Sequence, residues 1–281
     1  MIDLSSYVGR QEKSRDWSDR GRIARLAATL DHAIPPWRDG VLPPLGHWLY
    51  FTPSERQSQI GADGHPMRTD DGLLPNVDLP RRMWAGSRIT FLDDLAVDMP
   101  IVRTSTVVSA THKTGRSGNL VLVTVKHEVA CEGDAVAIVE EQDIVYRQAA
   151  DPAASFARTG ADPGEQDQVT RSITPDPVML FRYSALTFNS HRIHYDRDYA
   201  VAEEGYPSLV IQGPLVATLM LDHLMRHVPG RFVRSYQFRA VSPLLEGDRV
   251  ELGLTIAGEC ADLRAIGPVG VGMTATAVIA A

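Results

Sequence analysis

The feature that most restricts this chain is the run after Gly213-Pro214, namely Leu215-Val216-Ala217-Thr218-Leu219-Met220-Leu221-Asp222-His223-Leu224-Met225. Proline suits the first position of a helix, because its missing N–H has no helical partner there. A helix is therefore predicted from Pro214 to about His227. Its apolar residues fall on more than one face, so it is expected to be buried on most sides. The start of such a helix offers free N–H groups and a partial positive charge, a place to hold an oxyanion or a polarised carbonyl. Upstream, Asn189-Ser190-His191-Arg192-Ile193-His194 packs an amide, two histidines and an arginine into one short stretch. A proton-transfer group and a carbonyl-polarising helix start are thus expected in one site.

Around this helix the texture is that of strands. In the first half Val102–Ala110, Leu120–Val129 and Ala135–Tyr146 are rich in Val, Ile and Thr, with turns at Gly115–Asn119 and Cys131–Asp134. In the second half Arg171–Ile173, Ser235–Arg239, Val250–Ile256 and Val271–Ile279 carry the signal. Before the first meander, Ile23, Leu26, Ala27 and Leu30 recur with helical spacing behind Ser18, read as an N-cap. Helices followed by antiparallel meanders make the class α+β. The two halves share an order of elements, which points to a duplicated fold with a diverged first copy. Residues 1–148 are expected to form the first unit, 149–168 an Ala, Asp, Gly and Pro-rich linker, and 169–281 the second unit. The segment Thr52–Pro80 is long for a loop, and long loops are more often functional or mobile than accidental.

Composition removes several classes. The chain has 281 residues, a net charge of −7 and two cysteines. An acidic balance argues against nucleic acid or an anionic membrane as partner. Cys131 and Cys260 are too few for a disulfide framework or a zinc site, which indicates a reducing compartment. The N-terminus lacks a signal-peptide pattern and no apolar run reaches spanning length, so a cytoplasmic protein is expected. Exposed sheet edges suit pairing into a homodimer.

A second chemical feature is Pro80-Arg81-Arg82-Met83-Trp84-Ala85-Gly86-Ser87-Arg88. It reads either as a basic turn with Trp84 in the core or as recognition of phosphate or carboxylate by arginine forks. His191 and His194, spaced i, i+3, also fit two metal ligands on a helix face, but further ligands are missing nearby in the sequence. His194 alone also fits a core histidine. Asp196 and Asp198 read as caps or ion-pair partners, and Arg192 as either a structural partner or a substrate contact.

The run Ala185-Leu186-Thr187-Phe188-Asn189-Ser190-His191-Arg192-Ile193-His194-Tyr195-Asp196, followed by Glu204-Gly205-Tyr206-Pro207 and Val210-Ile211-Gln212-Gly213-Pro214-Leu215, resembles the MaoC-like hydratases and dehydratases. The closest resemblance is to the fused double-hotdog members: itaconyl-CoA and mesaconyl-C4-CoA hydratases and type-2 hydroxyacyl-thioester dehydratases. That resemblance implies a double hotdog, two antiparallel sheets each wrapped around a long central helix. It implies reversible addition of water to an enoyl thioester, with acyl-CoA as the bound partner and no metal or organic cofactor. In that chemistry His194 is the general acid/base, Asn189 orients water and the Gly213 N–H polarises the thioester. Many such enzymes have Asp where Asn189 stands, and Asn cannot take a proton. His194 is therefore expected to be the sole proton carrier. Arg82, Trp84, Arg88, His191 and Arg192 are the expected substrate contacts. The arginines suit the free carboxylate of itaconyl-CoA or mesaconyl-C4-CoA, the product being citramalyl-CoA, or equally the CoA phosphates. The alternatives are a 3-hydroxyacyl-CoA or acyl carrier protein dehydratase and a non-catalytic acyl-CoA-binding protein. A thioesterase would need a carboxylate base on the central helix, where Asp222 is the one acid.

Overall fold

The computed structural model describes residues 2–115, 118–149 and 156–280. Its strands form one antiparallel ten-stranded sheet in the order β1-β3-β4-β5-β2-β7-β10-β9-β8-β6. The first five are β1 (Gln11–Trp17), β2 (Arg81–Phe91), β3 (Pro100–Gly115), β4 (Gly118–Cys131) and β5 (Ile138–Arg147). The others are β6 (Val169–Ile173), β7 (Val233–Ala240), β8 (Val250–Ala257), β9 (Cys260–Gly267) and β10 (Gly270–Ile279). Read outward from the β2–β7 pair, both flanks have the same internal order, so the sheet has a topological two-fold at its centre. The two expected sheets are thus joined edge to edge. The join needs a glycine: a Cβ on Gly86 would sit 2.4 Å from the carbonyl oxygen of Phe238 on β7.

Among the described residues four α-helices complete the fold: α1 (Arg20–Thr29), α2 (Pro177–Thr187), α3 (Arg197–Ala202) and α4 (Gly213–His227). The α4 helix lies where the sequence predicts it. Every residue from Leu215 to Met225 is buried, and α4 packs on β8, β9 and β10. Tyr236 of β7 donates a hydrogen bond to the Ala217 carbonyl at 2.9 Å. Burial on all sides is what an apolar run without a polar face dictates.

Among the described residues the first half, unlike the expectation, has no helix of that length. Its α1 has ten residues. The space is filled instead by the segment through Leu42, Leu45, Leu49 and Tyr50, which joins the main core with Leu26 and Leu30. The N-cap of α1 is Asp19, which accepts from the Arg22 N–H at 3.1 Å. Ser18 is not the cap, because its hydroxyl is engaged with the carbonyls of Ala96 and Met99. The Arg81–Arg88 segment is strand rather than turn.

Two turns of the expected outline touch undescribed residues: Arg116 and Ser117 lie between β3 and β4, and 150–155 lie within the expected linker. The described part of that linker packs on the second half. Arg158 pairs with Asp248, the Gly160 N–H donates to the Val269 carbonyl, and Arg264 pairs with Asp167. Among the described residues no helix is long and apolar enough to cross a membrane.

Candidate active site

The site is built around the start of α4. Asp176 caps α2 by accepting from the Met179 N–H at 2.8 Å, and Pro177 opens the helix. The α2 helix ends at Phe188, whose backbone is left-handed with φ 49°. That reversal carries the chain to Asn189, whose side-chain oxygen accepts from the His191 N–H at 3.1 Å. A short 3-10 turn, Arg192–His194, follows. His194 then turns back on the strand-like segment ahead of α4. Its Nδ1 is 2.7 Å from the Val210 carbonyl, and the Val210 N–H returns a bond to the Ile193 carbonyl at 2.9 Å.

A carbonyl only accepts, so Nδ1 of His194 carries the hydrogen and Nε2 is left with its lone pair. Burial pushes the His194 pKa down to about 4, so the ring is neutral at neutral pH. A neutral imidazole with a free Nε2 is set up as a base. Three residues beyond Val210, α4 begins. Leu215 is buried but Gly213 and Pro214 are partly open, and the Gly213 N–H has no intrahelical partner to donate to. Gln212, fully buried, donates to the Leu180 carbonyl and the Ser184 hydroxyl, both at 2.9 Å. It thereby fixes α2 to the start of α4. The Trp84 carbonyl of β2 approaches Gly213 from the first half, 3.9 Å from where a Cβ would be.

A residue outside the expected set also enters. The turn Gly61–His65, within the long loop Thr52–Pro80, docks on the 190–192 segment. The Ser190 hydroxyl donates to the Gly64 carbonyl, and the Arg192 N–H donates to the Asp63 carbonyl at 2.9 Å. Gly64 has φ +91°, and a Cβ there would sit 1.8 Å from the Ser190 carbonyl oxygen. This contact delivers His65, whose ring lies 4.1 Å from that of His191; His191 in turn is 5.3 Å from His194. Nδ1 of His65 is 2.8 Å from the Asp63 carboxylate. Burial lowers the His65 pKa, with the Arg82 charge adding to it. Burial also takes His191 to about 2, helped by the neighbouring His65. For Asp63 burial works upward, but the His65 hydrogen bond and charge outweigh it and hold the acid at about 2. The donor atoms of Asp63, His65 and His191 lie within 4.8 Å of one another. The Asp63-Gly64 pair is a turn signal legible in the sequence, but nothing in it names the partner of the turn.

The expected substrate contacts separate by what already holds them. Arg88 is paired with Asp143 and Glu141 on the exposed side of β2. Trp84 packs edge-on against Trp48 at 5.0 Å, and its indole N–H is taken up by Ser87 and the Gly86 carbonyl. It meets the site through its backbone. Arg192 pairs with Asp196 at 2.7 Å and donates to the Ala62 carbonyl at 3.0 Å, bracing the docked turn. Arg81 pairs with Glu204. Arg82 has no carboxylate partner among the described residues, and its charge bears on both His65 and His191. Asp222 is consumed by His32, Arg171 and Arg226 at 2.5, 3.1 and 2.8 Å. It is therefore not available as a thioesterase base.

A helix start three residues beyond the carbonyl that holds a buried neutral histidine is an arrangement suited to acid–base chemistry on a polarised carbonyl. Solved structures resemble the chain throughout. A MaoC-like dehydratase superposes with a TM-score of 0.72 at 14% identity, covering 98% of this chain and 99% of that one. A Mycobacterium tuberculosis protein described as a double hotdog gives 0.56 at 13% identity, covering 97% and 96%. The fold is a double hotdog. The family model for hydroxyacyl-thioester dehydratase type 2 matches residues 45–246, so the chain belongs to that family, an enzyme family of the hydratase and dehydratase class. A curated relative, the mesaconyl-C(4)-CoA hydratase of Chloroflexus aurantiacus, is 44% identical over 269 residues, 95% of this chain and 94% of that protein.

Proposed function

We propose that the chain hydrates a short branched dicarboxylic enoyl-CoA, with mesaconyl-C4-CoA as the first candidate and citramalyl-CoA as product. The relative at 44% identity supports this substrate class. The observation that carries the chemistry is the His194 Nδ1–Val210 bond, which takes up Nδ1 on the segment leading into α4 and leaves Nε2 for proton transfer. On this reading the Gly213 N–H holds the thioester oxygen as negative charge develops there. Asn189 orients the water, and His194 moves the proton at Cα. Arg82, alone of the four arginines in having no carboxylate partner among the described residues, takes the substrate's free carboxylate. Itaconyl-CoA is the weaker candidate, because its double bond is not conjugated to the thioester and polarising the carbonyl does not activate it. Residues 169–281 supply the acid–base histidine and the helix start, 149–168 connect, and 1–148 supply the wall and Arg82.

The family match favours a second reading, the same chemistry run as dehydration of a 3-hydroxyacyl chain on CoA or acyl carrier protein. The test is a hydration assay against mesaconyl-C4-CoA, itaconyl-CoA, crotonyl-CoA and a medium-chain trans-2-enoyl-CoA, with His194→Ala alongside. Turnover confined to the dicarboxylic esters supports the first reading. Turnover confined to straight chains moves the assignment to the second. Activity that survives loss of His194 refutes the mechanism.

A further inference from the structure

An enzyme of this chemistry moves two protons. One leaves or joins Cα, and the other leaves or joins the oxygen on Cβ. Asn189, placed on the reading above to orient the water, cannot carry the second proton. The first half supplies a group that can. Resting on the hydratase reading above, we propose that His65, oriented by Asp63, is the second proton carrier of the active site and serves the oxygen on Cβ, while His194 serves Cα.

Three observations place the two roles. His194 is bonded to Val210 at 2.7 Å, three residues ahead of Gly213, so it stands beside the thioester carbonyl and hence beside Cα. His65 approaches from the other half on the turn locked by Gly64. Arg82 bears on His65, and in mesaconyl-C4-CoA the free carboxylate is borne by Cβ, the same carbon that takes the water. On the reading that Arg82 takes that carboxylate, His65, whose ring lies 4.1 Å from that of His191, is assigned to Cβ. The Asp63 carboxylate, 2.8 Å from Nδ1 of His65, holds the ring by that nitrogen and leaves Nε2 for proton transfer, and it offsets the charge when His65 is protonated. His194 has only a neutral carbonyl behind it, so of the two rings His65 is the better holder of a positive charge.

In the dehydration direction, neutral His194 takes the Cα proton through Nε2. The electron pair moves to the thioester oxygen on Gly213 and returns to form the Cα–Cβ double bond. The Cβ–O bond breaks as protonated His65 gives its Nε2 proton to the departing hydroxyl, which leaves as water. Hydration is the reverse: His65 takes a proton from the water held by Asn189, and His194 returns one to Cα. The site holds one proton beyond neutral imidazoles throughout, balanced by Asp63, and exchange with solvent resets its position.

The two steps can be read separately in D2O with citramalyl-CoA and mesaconyl-C4-CoA, on wild type, His65→Asn, His65→Gln, Asp63→Asn and His194→Asn. Hydration is followed by enoyl absorbance and Cα deuterium uptake by mass, with CoA-ester binding as the check that each variant is folded. The expected result is a roughly 100- to 1,000-fold loss of hydration in both His65 variants, the range of a general acid–base group. Cα exchange should stay within a few-fold of wild type. Asp63→Asn should lose roughly tenfold in kcat with KM held, and His194→Asn should lose both readouts. Hydration in the His65 variants within threefold of wild type overturns the assignment, as does a parallel loss of hydration and exchange. Activity removed by a chelator and restored by a divalent cation also overturns it, since Asp63, His65 and His191 would then be holding an ion. A wild-type chain inert on every thioester would instead sink the functional reading itself.

Discussion

Replacing Gly64 by alanine is the sharpest single perturbation of the proposed site. The new Cβ would lie 1.8 Å from the Ser190 carbonyl oxygen and 2.8 Å from its carbon, both backbone atoms, where ordinary contact begins near 3.4 Å. The turn and the 190–192 segment must part by about 1.5 Å to relieve this, which exceeds the roughly 1 Å misplacement that can cost about 100-fold in rate. The left-handed φ adds about 1–2 kcal/mol for any residue with a Cβ. Separation also breaks the Ser190–Gly64 and Arg192–Asp63 bonds and the Arg192–Ala62 bond, each worth about 1 kcal/mol. Those bonds, about 3 kcal/mol in all, oppose undocking, but a 1.8 Å contact between a Cβ and a backbone oxygen cannot persist, so the turn and the 190–192 segment part while the sheet and α4 are untouched. Gly64→Ala should lower kcat/KM at least 100-fold and shift the melting temperature only slightly, because the turn opens as a local unit. Hydrogen exchange should rise at 60–66 and 189–195 but not in α4. A folded variant with wild-type kcat/KM would refute the claim that this turn delivers a working part of the site.

Arg82→Gln should raise KM for mesaconyl-C4-CoA roughly 10- to 100-fold and leave crotonyl-CoA unaffected, as steady-state kinetics on both esters would report. Glu140, 1% exposed, accepts from His47, Trp48 and Ser87 at 2.8–2.9 Å. Glu140→Ala strands those donors and should cost about 3–5 kcal/mol in chemical denaturation, with Glu140→Gln milder. His194 is held at a pKa of about 4 against 6.5 for a free histidine. Below pH 6.5 the unfolded chain takes up this proton and the folded chain does not. About 3 kcal/mol of stability, fully present at pH 7, is therefore lost as pH falls from 6.5 towards 4, and a denaturation series should show a shallower slope in His194→Gln.

Much of the second half is legible in the sequence because its signals are local. Gly213-Pro214 marks a helix start, and Val250 to Ile256 alternates as a half-buried strand must. Where signals are not local, expectation and structure part. The edge strand β1, Gln11–Trp17, has a charged and polar sequence with little burial, so it offers no apolar alternation. The strand β9 hides its inward set in Ala261, Leu263 and Ala265 between charged neighbours. The α2 helix is missed although Asp176-Pro177 is a cap followed by a first-turn proline. His65 is the instructive case. Its turn is written in Asp63-Gly64, but its value lies in a contact with Ser190 across more than a hundred positions, and no periodicity encodes that.

The symmetry of the sheet sharpens the question of why the chain has one proposed site and not two. Both flanks present the same strand order around the β2–β7 pair, yet among the described residues only the second has a fifteen-residue helix with an open start. In the first, the 3-10 turn Gly46–Leu49 places His47 and Trp48 on the buried Glu140. Burial works to raise that carboxyl, but the His47 hydrogen bond and charge outweigh it and hold the acid at about 2. This buried network takes up Nε2 of His47, the Trp48 indole N–H and the Ser87 hydroxyl, and leaves Nδ1 of His47 buried without a hydrogen-bond partner. It stiffens the flank. A flank that no longer needs an open helix start can spend its long 52–80 segment on reaching across to the other half. There it places His65 beside His191, and β2 brings Arg82 near both. On the proposed mechanism the asymmetry between the halves is a division of labour: one half polarises the carbonyl and handles Cα, and the other reads the far end of the acyl group.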